Sequence, residues 1–136
     1  MTGISDAGHT EMEPDTESPL FILASCPVNL PDSTPRLSGE MEINVLRDSL
    51  AYEIYGKTRV NEPFHCNYEL NPDYRQQMEA SGIKVSGVTT DGGTRIVEII
   101  NHPFFIGTGF VPQMISTPDI PHPLITAFLR ASIDRK

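Results

Sequence analysis

An α/β fold is predicted by three features of this chain: the uninterrupted apolar run Leu20-Phe21-Ile22-Leu23-Ala24, the turn Asp91-Gly92-Gly93 between two apolar segments, and the helix start Asn71-Pro72-Asp73. The apolar run has the length of a strand buried on both faces, a property of α/β sheets. The glycine turn joins an antiparallel hairpin, and Asn followed by Pro suits the N-cap and first position of a helix. A length of 136 residues accommodates one domain, with 38% hydrophobic and 21% charged residues. The net charge of −8 excludes binding to a nucleic-acid backbone, which needs a basic stripe. No run of about 18 apolar residues is present, so no membrane span is expected. The acidic N-terminal residues are unlike a signal peptide, and a cytoplasmic location is expected. Cys26 and Cys66 stand in no C-x-x-C spacing, and neither a disulfide scaffold, a metal site nor a cofactor is expected.

The elements follow in order. Residues 1–18 carry Asp6, Glu11, Glu13, Asp15 and Glu17 with no Lys or Arg and few large apolar side chains, and are expected to be a disordered acidic tail. A domain over 19–136 then begins with the apolar strand. Pro27 to Gly39 reads as a loop. Met41, Ile43 and Val45 alternate as in a half-buried strand, and Asp48 or Ser49 caps a short helix that Gly56 ends. Thr58 to Leu70 reads as a strand interrupted by Pro63, with Val60, Glu62, Phe64, Cys66 and Tyr68 on one face and Asn61, His65 and Asn67 on the other. A helix with Tyr74 and Met78 inward ends at Gly82. The hairpin strands Ile83–Gly87 and Arg95–Ile100 follow. Phe104 to Phe110 is a further strand whose glycines mark a close backbone approach, and Pro123 to Ile133 is a closing helix with Leu124, Ala127, Phe128 and Ala131 on one side.

Seven blocks in this order carry a resemblance: Asp48-Ser49-Leu50 to Tyr55, Tyr68-Glu69-Leu70-Asn71, Gly82-Ile83-Lys84-Val85-Ser86-Gly87, Val97-Glu98-Ile99-Ile100, His102-Pro103-Phe104-Phe105-Ile106, Ser116-Thr117-Pro118 and His122-Pro123-Leu124-Ile125. Over roughly the C-terminal two-thirds of the chain they resemble the C-terminal half of the class I glutamine amidotransferase domain, in its CTP synthase branch. The resemblance implies part of an amidotransferase-like, flavodoxin-like sheet with an antiparallel hairpin and about three flanking helices. It also implies a glutamine pocket lined by the strand that holds Asn67 and Tyr68.

The departures bear on activity. The family activates a cysteine on a G-x-C-x-G elbow with the histidine of an H-P-E segment, which the glutamate orients. No such elbow occurs in the sequence, and H-P-E stands as Val111-Pro112-Gln113. A substrate-holding arginine of the family corresponds to Asn67. A degenerate amidotransferase-like protein without glutaminase activity is therefore expected, acting as a ligand- or partner-binding module. A rival reading is a small repurposed enzyme using Cys66, His65 or Cys26 in the inherited pocket. A third is the tail portion of a split or truncated CTP synthase-like amidotransferase. Free cysteines are ordinarily buried and structural, and a regular strand would point His65 and Cys66 apart. His102 and His122, each before a proline, are expected in turn or capping roles, and Asp91 and Asp119 in turns. An exposed sheet edge is expected to be covered by a homodimer mate or a partner subunit.

Overall fold

The computed structural model describes residues 3–24 and 38–133. Cys26 and most of the Pro27–Gly39 segment lie outside the described residues. Strands β1 (Ala7–His9), β2 (Ser18–Leu23), β3 (Ser38–Val45), β4 (Arg59–His65), β5 (Tyr68–Leu70), β6 (Ile83–Thr89), β7 (Thr94–Ile99) and β8 (Ile106–Thr108) accompany helices α1 (Leu50–Tyr55), α2 (Arg75–Ala80) and α3 (Pro123–Ile133). They form a five-stranded sheet in the order β4-β3-β6-β7-β8 and a three-stranded sheet in the order β1-β2-β5. Every pair in the larger sheet is antiparallel, and among the described residues the one parallel ladder joins β1 to β2. The α/β class, the hairpin and the three helices stand as expected. The larger described sheet is antiparallel throughout. No helix among the described residues is long and apolar enough to cross a membrane.

Local chemistry fixes the helix ends. The Ser49 side chain accepts from the Tyr52 N–H at 3.0 Å, and Gly56 closes α1 in the left-handed region at φ 65°, where a side chain would be strained. Asn71 accepts from the Asp73 N–H at 3.0 Å, opening a 3-10 turn that runs into α2 and buries Met78. The core sets Ile43, Val45 and Ile96 of the larger sheet against Ala51 of α1, Leu124 of α3 and Phe110.

Two expectations are corrected. Residues 1–18 are not wholly an unstructured tail. Ala7, Gly8 and His9 pair with β2, Thr10 N–H donates to the Phe21 carbonyl at 3.1 Å, and the His9 ring stacks on Phe21 with centroids 5.3 Å apart. Small residues let the backbone approach, His9 supplies an aromatic anchor, and the acidic side chains stay at the surface. The apolar run is likewise not buried on both faces. Phe21 and Leu23 are 40% and 63% exposed, because the small sheet leaves one face of β2 open. The expected strand from Phe104 shortens to Ile106–Thr108, and its glycines do mark close approach: a Cβ on Gly107 would lie 3.0 Å from Val97 Cγ2.

Two buried carboxylates lock the helices to the larger sheet. Glu98 of β7, 6% exposed, accepts from the Leu50 N–H (3.0 Å) and the Ala51 N–H (2.8 Å), filling the positive end of α1 with negative charge. Glu62 of β4, 2% exposed, lies 3.0 Å from His122 Nε2 through both carboxylate oxygens and accepts the Tyr55 hydroxyl at 2.6 Å. His122 Nδ1 accepts from the Leu124 N–H at 3.2 Å, which assigns the proton to Nε2 as donor to Glu62. Burial first, and then Glu62, raises the Tyr55 hydroxyl above its ordinary pKa. The expected capping role of His122 is thus met, and His102 Nδ1 likewise accepts from the Phe104 N–H at 3.2 Å.

Candidate functional site

A cavity of about 430 Å³ opens between the small sheet and the β7–β8 end of the large one. Such a volume is of the size that holds small organic ligands. Its wall is largely apolar: Leu20 and Phe21 of β2, Leu70 of β5, Met78 of α2, Val97 of β7, and Phe110 and Val111 beyond β8. His9, His65, Cys66 and Tyr68 also line it.

His65 and Cys66 therefore share one cavity, contrary to the opposite faces that strand alternation implies. The reason is a break in the strand: β4 ends at His65 and β5 starts at Tyr68, so the alternation does not carry across Cys66 and Asn67. Cys66 is exposed rather than buried, and its sulfur accepts the Tyr68 N–H at 3.4 Å. Tyr68 lies on the wall, its ring 4.6 Å from that of His9. Asn67 stands at the break, where its carbonyl accepts the Ala24 N–H at 2.7 Å. The chain leaves the described residues at Ala24, beside Asn67, and returns at Ser38, paired with His65.

Val111 lies on the cavity wall, with Pro112 and Gln113 following in a 3-10 turn from Pro112 to Met114. Its N–H donates to the Pro63 carbonyl at 3.0 Å, so the backbone of this segment is tied to β4. The valine presents hydrocarbon to the cavity, and Gln113 is exposed. One polar pair is set in the wall: Arg95 Nη2 of β7 lies 3.0 Å from Glu69 Oε2 of β5, with the two side chains 12% and 10% exposed. The pair ties the two sheets together, and Arg95 Nε is buried without a hydrogen-bond partner. Among the described residues no group of three or more His, Cys, Asp or Glu side chains is arranged to hold a metal ion.

Sequence reasoning passed over His9, Arg95 and Glu69 as cavity residues and the Tyr55–Glu62–His122 network. A signal existed for the last: Glu62 alternates with Val60 and Phe64, which places a carboxylate on an apolar strand face and demands a partner.

No protein-family model matches the chain. It is 37% identical over 135 residues to the CTP synthase of Flavobacterium johnsoniae, an alignment covering 97% of this chain and 25% of that protein. It is 36% identical over 136 residues to the CTP synthase of Staphylococcus aureus strain NCTC 8325, covering 96% and 25%. The chain thus spans about a quarter of the length of these relatives. The similarity includes the N-terminal acidic residues and so extends beyond the C-terminal two-thirds. A solved structure of the glutaminase domain of Trypanosoma brucei CTPS with bound acivicin superposes with a TM-score of 0.86 at 24% identity, covering all of this chain and 54% of that one.

Proposed function

We propose that this chain, a partial glutamine-amidotransferase-like region homologous to part of CTP synthase, is a degenerate module that binds a ligand or partner and does not hydrolyse glutamine. One observation carries the reading: Val111 lies on the cavity wall where the resemblance places the catalytic histidine, and Gln113 replaces the orienting glutamate. A valine accepts no proton, and a neutral amide carries no negative charge with which to stabilise an imidazolium as a carboxylate does. Both positions lie inside the chain, so the argument is independent of any sequence on either side. Loss of the base from a nucleophile–base unit lowers the rate by about 10⁴-fold or more. Asn67 further removes the positive charge that would meet an amino-acid carboxylate. Purified protein incubated with glutamine is expected to release no glutamate above a protein-free control. Release at a rate typical of amidotransferases sinks the reading.

A second reading is favoured by the meeting of His65 and exposed Cys66 at the cavity, which gives a thiol room to act on a substrate. Reactive cysteines label selectively at neutral pH. Under the binding-module reading, Cys66 alkylates with iodoacetamide at the rate of a free cysteine peptide, as read by mass spectrometry. Labelling tenfold or more faster, and slowed by His65→Ala, supports a repurposed enzyme instead.

A further inference from the structure

The His122 ring joins three elements. Its Nε2 lies 3.0 Å from both Glu62 oxygens on β4, the Tyr55 ring of α1 stands perpendicular to it with centroids 5.9 Å apart, and its Nδ1 accepts the Leu124 N–H at the start of α3. The His122 and Glu62 side chains are 2% and 3% exposed. These contacts are closed within the described residues, so they hold whatever chain lies before or after them.

Both ring nitrogens are in use, one as donor and one as acceptor, which only the neutral ring allows. A second proton enters at Nδ1 and turns the acceptor into a donor. Nδ1–H then faces the Leu124 N–H across 3.2 Å, donor against donor. Leu124 is 6% exposed, so water is a poor substitute for the lost acceptor. The positive end of α3 opposes an imidazolium as well. Glu62 attracts one, but its bond runs to Nε2, the other nitrogen of the ring. One proton therefore strengthens the tie to β4 and breaks the tie to α3.

Charged and titratable groups approach the ring from several elements. Besides Glu62 and Tyr55, Glu42 of β3, Lys57 between α1 and β4, and Arg59 of β4 line the opening beside it. These three are exposed, one negative and two positive, and water and salt screen them. The loop before α3 adds Ser116, whose hydroxyl accepts the His122 N–H at 3.0 Å, and exposed Asp119. Among these groups Glu62 is the buried charge.

We propose that His122 is a pH-sensitive switch that releases the first turn of α3 on protonation while keeping its bond to Glu62. Histidine suits the task, since its ordinary titration falls between about pH 5 and 8. In the neutral state Nδ1 caps the helix, and Leu124 belongs to the core with Ala51 and Phe110. In the protonated state the Leu124 N–H loses its acceptor, and the turn closed by the Thr126 N–H on the His122 carbonyl at 3.0 Å frays. The Pro112–Met114 turn packs against both α3 and β4, so the loosened helix end lies next to the segment that follows Val111 on the cavity wall.

The test is a pH series on isotope-labelled protein from about pH 8 to pH 5. Long-range imidazole NMR spectra read the protons on His122. Amide exchange, corrected for its intrinsic pH dependence, reads the cap at Leu124 and the core at fully buried Ile96. The expected result is the Nε2–H tautomer at the upper end and a second proton on Nδ1 at the lower. Along that titration Leu124 loses about tenfold in protection, the size of a lost helix cap, while Ile96 keeps its own. His122→Asn supplies a cap acceptor that does not titrate and is expected to remove the step at Leu124. Should that variant fail to fold, the unaltered protein decides alone. The proposal is overturned by a ring that keeps Nδ1 unprotonated until the whole protein unfolds, or by a second proton that leaves Leu124 protected. Protection lost at Leu124 and Ile96 together, or the same step in folded His122→Asn, overturns it equally.

Discussion

His122→Ala is expected to destabilise the protein by about 3–5 kcal/mol, the cost of leaving a buried charge without its partner. Glu62 is 2% exposed and receives His122 Nε2 on both oxygens, so the substitution leaves its carboxylate with Tyr55 alone among the side chains that bond it here. The same change removes the Nδ1 acceptor of the Leu124 N–H, at the start of α3, and opens a void under the helix. Each kcal/mol lowers Tm by about 2–8 °C in domains of this size range, so a loss of about 6 °C or more follows. Tyr55→Phe removes one bond to the same carboxylate and is expected to cost about 1–2 kcal/mol. Urea unfolding ranks the two. A His122→Ala protein within about 1 kcal/mol of the parent would mean that Glu62 finds water or another donor and that the network is not what holds α3 to β4.

Glu98→Ala carries the next largest effect, about 2–4 kcal/mol. It orphans two amide donors, Leu50 N–H and Ala51 N–H, at the positive end of α1 and removes the charge that opposes them. Glu98→Gln keeps an acceptor and is expected to cost about half as much. Hydrogen exchange distinguishes this local origin from general loosening: the Leu50 and Ala51 amides exchange faster in Glu98→Ala by more than global stability alone accounts for. Unchanged protection at those two amides would show that the carboxylate does not cap the helix.

The two carboxylates also show how far the fold is legible in the chain. Local signals set the helices: Ser49 and Gly56 bound α1, Asn71-Pro72 starts the turn into α2, and Pro123 to Ile133 is the extent of α3. The hairpin around Asp91-Gly92-Gly93 is equally local. Contacts between distant segments are not encoded in any window. Glu62 and His122 are separated by 60 positions, and each alone reads as a charged strand residue and a turn histidine. The small sheet is hidden for the same reason, since β1 is three residues in an acidic stretch and gains its strand geometry from β2. The cavity was half legible. Val111, Tyr68, Cys66 and His65 are on its wall, but the break between β4 and β5 that gathers His65 and Cys66 follows from tertiary pairing, with β4 held by β3 and β5 by β2. Pattern alone gave these two side chains opposite faces.

We propose that a cavity with valine in the place of the base does not run the family's hydrolysis. Its most direct measurement is glutamate formation followed by proton NMR over many hours, at high protein concentration, for the unaltered chain beside Cys66→Ser. No glutamate above the protein-free control is expected in either sample. Steady glutamate formation by the unaltered chain that Cys66→Ser abolishes would contradict it, because a thiol in this cavity would then be hydrolysing glutamine without the histidine the family uses.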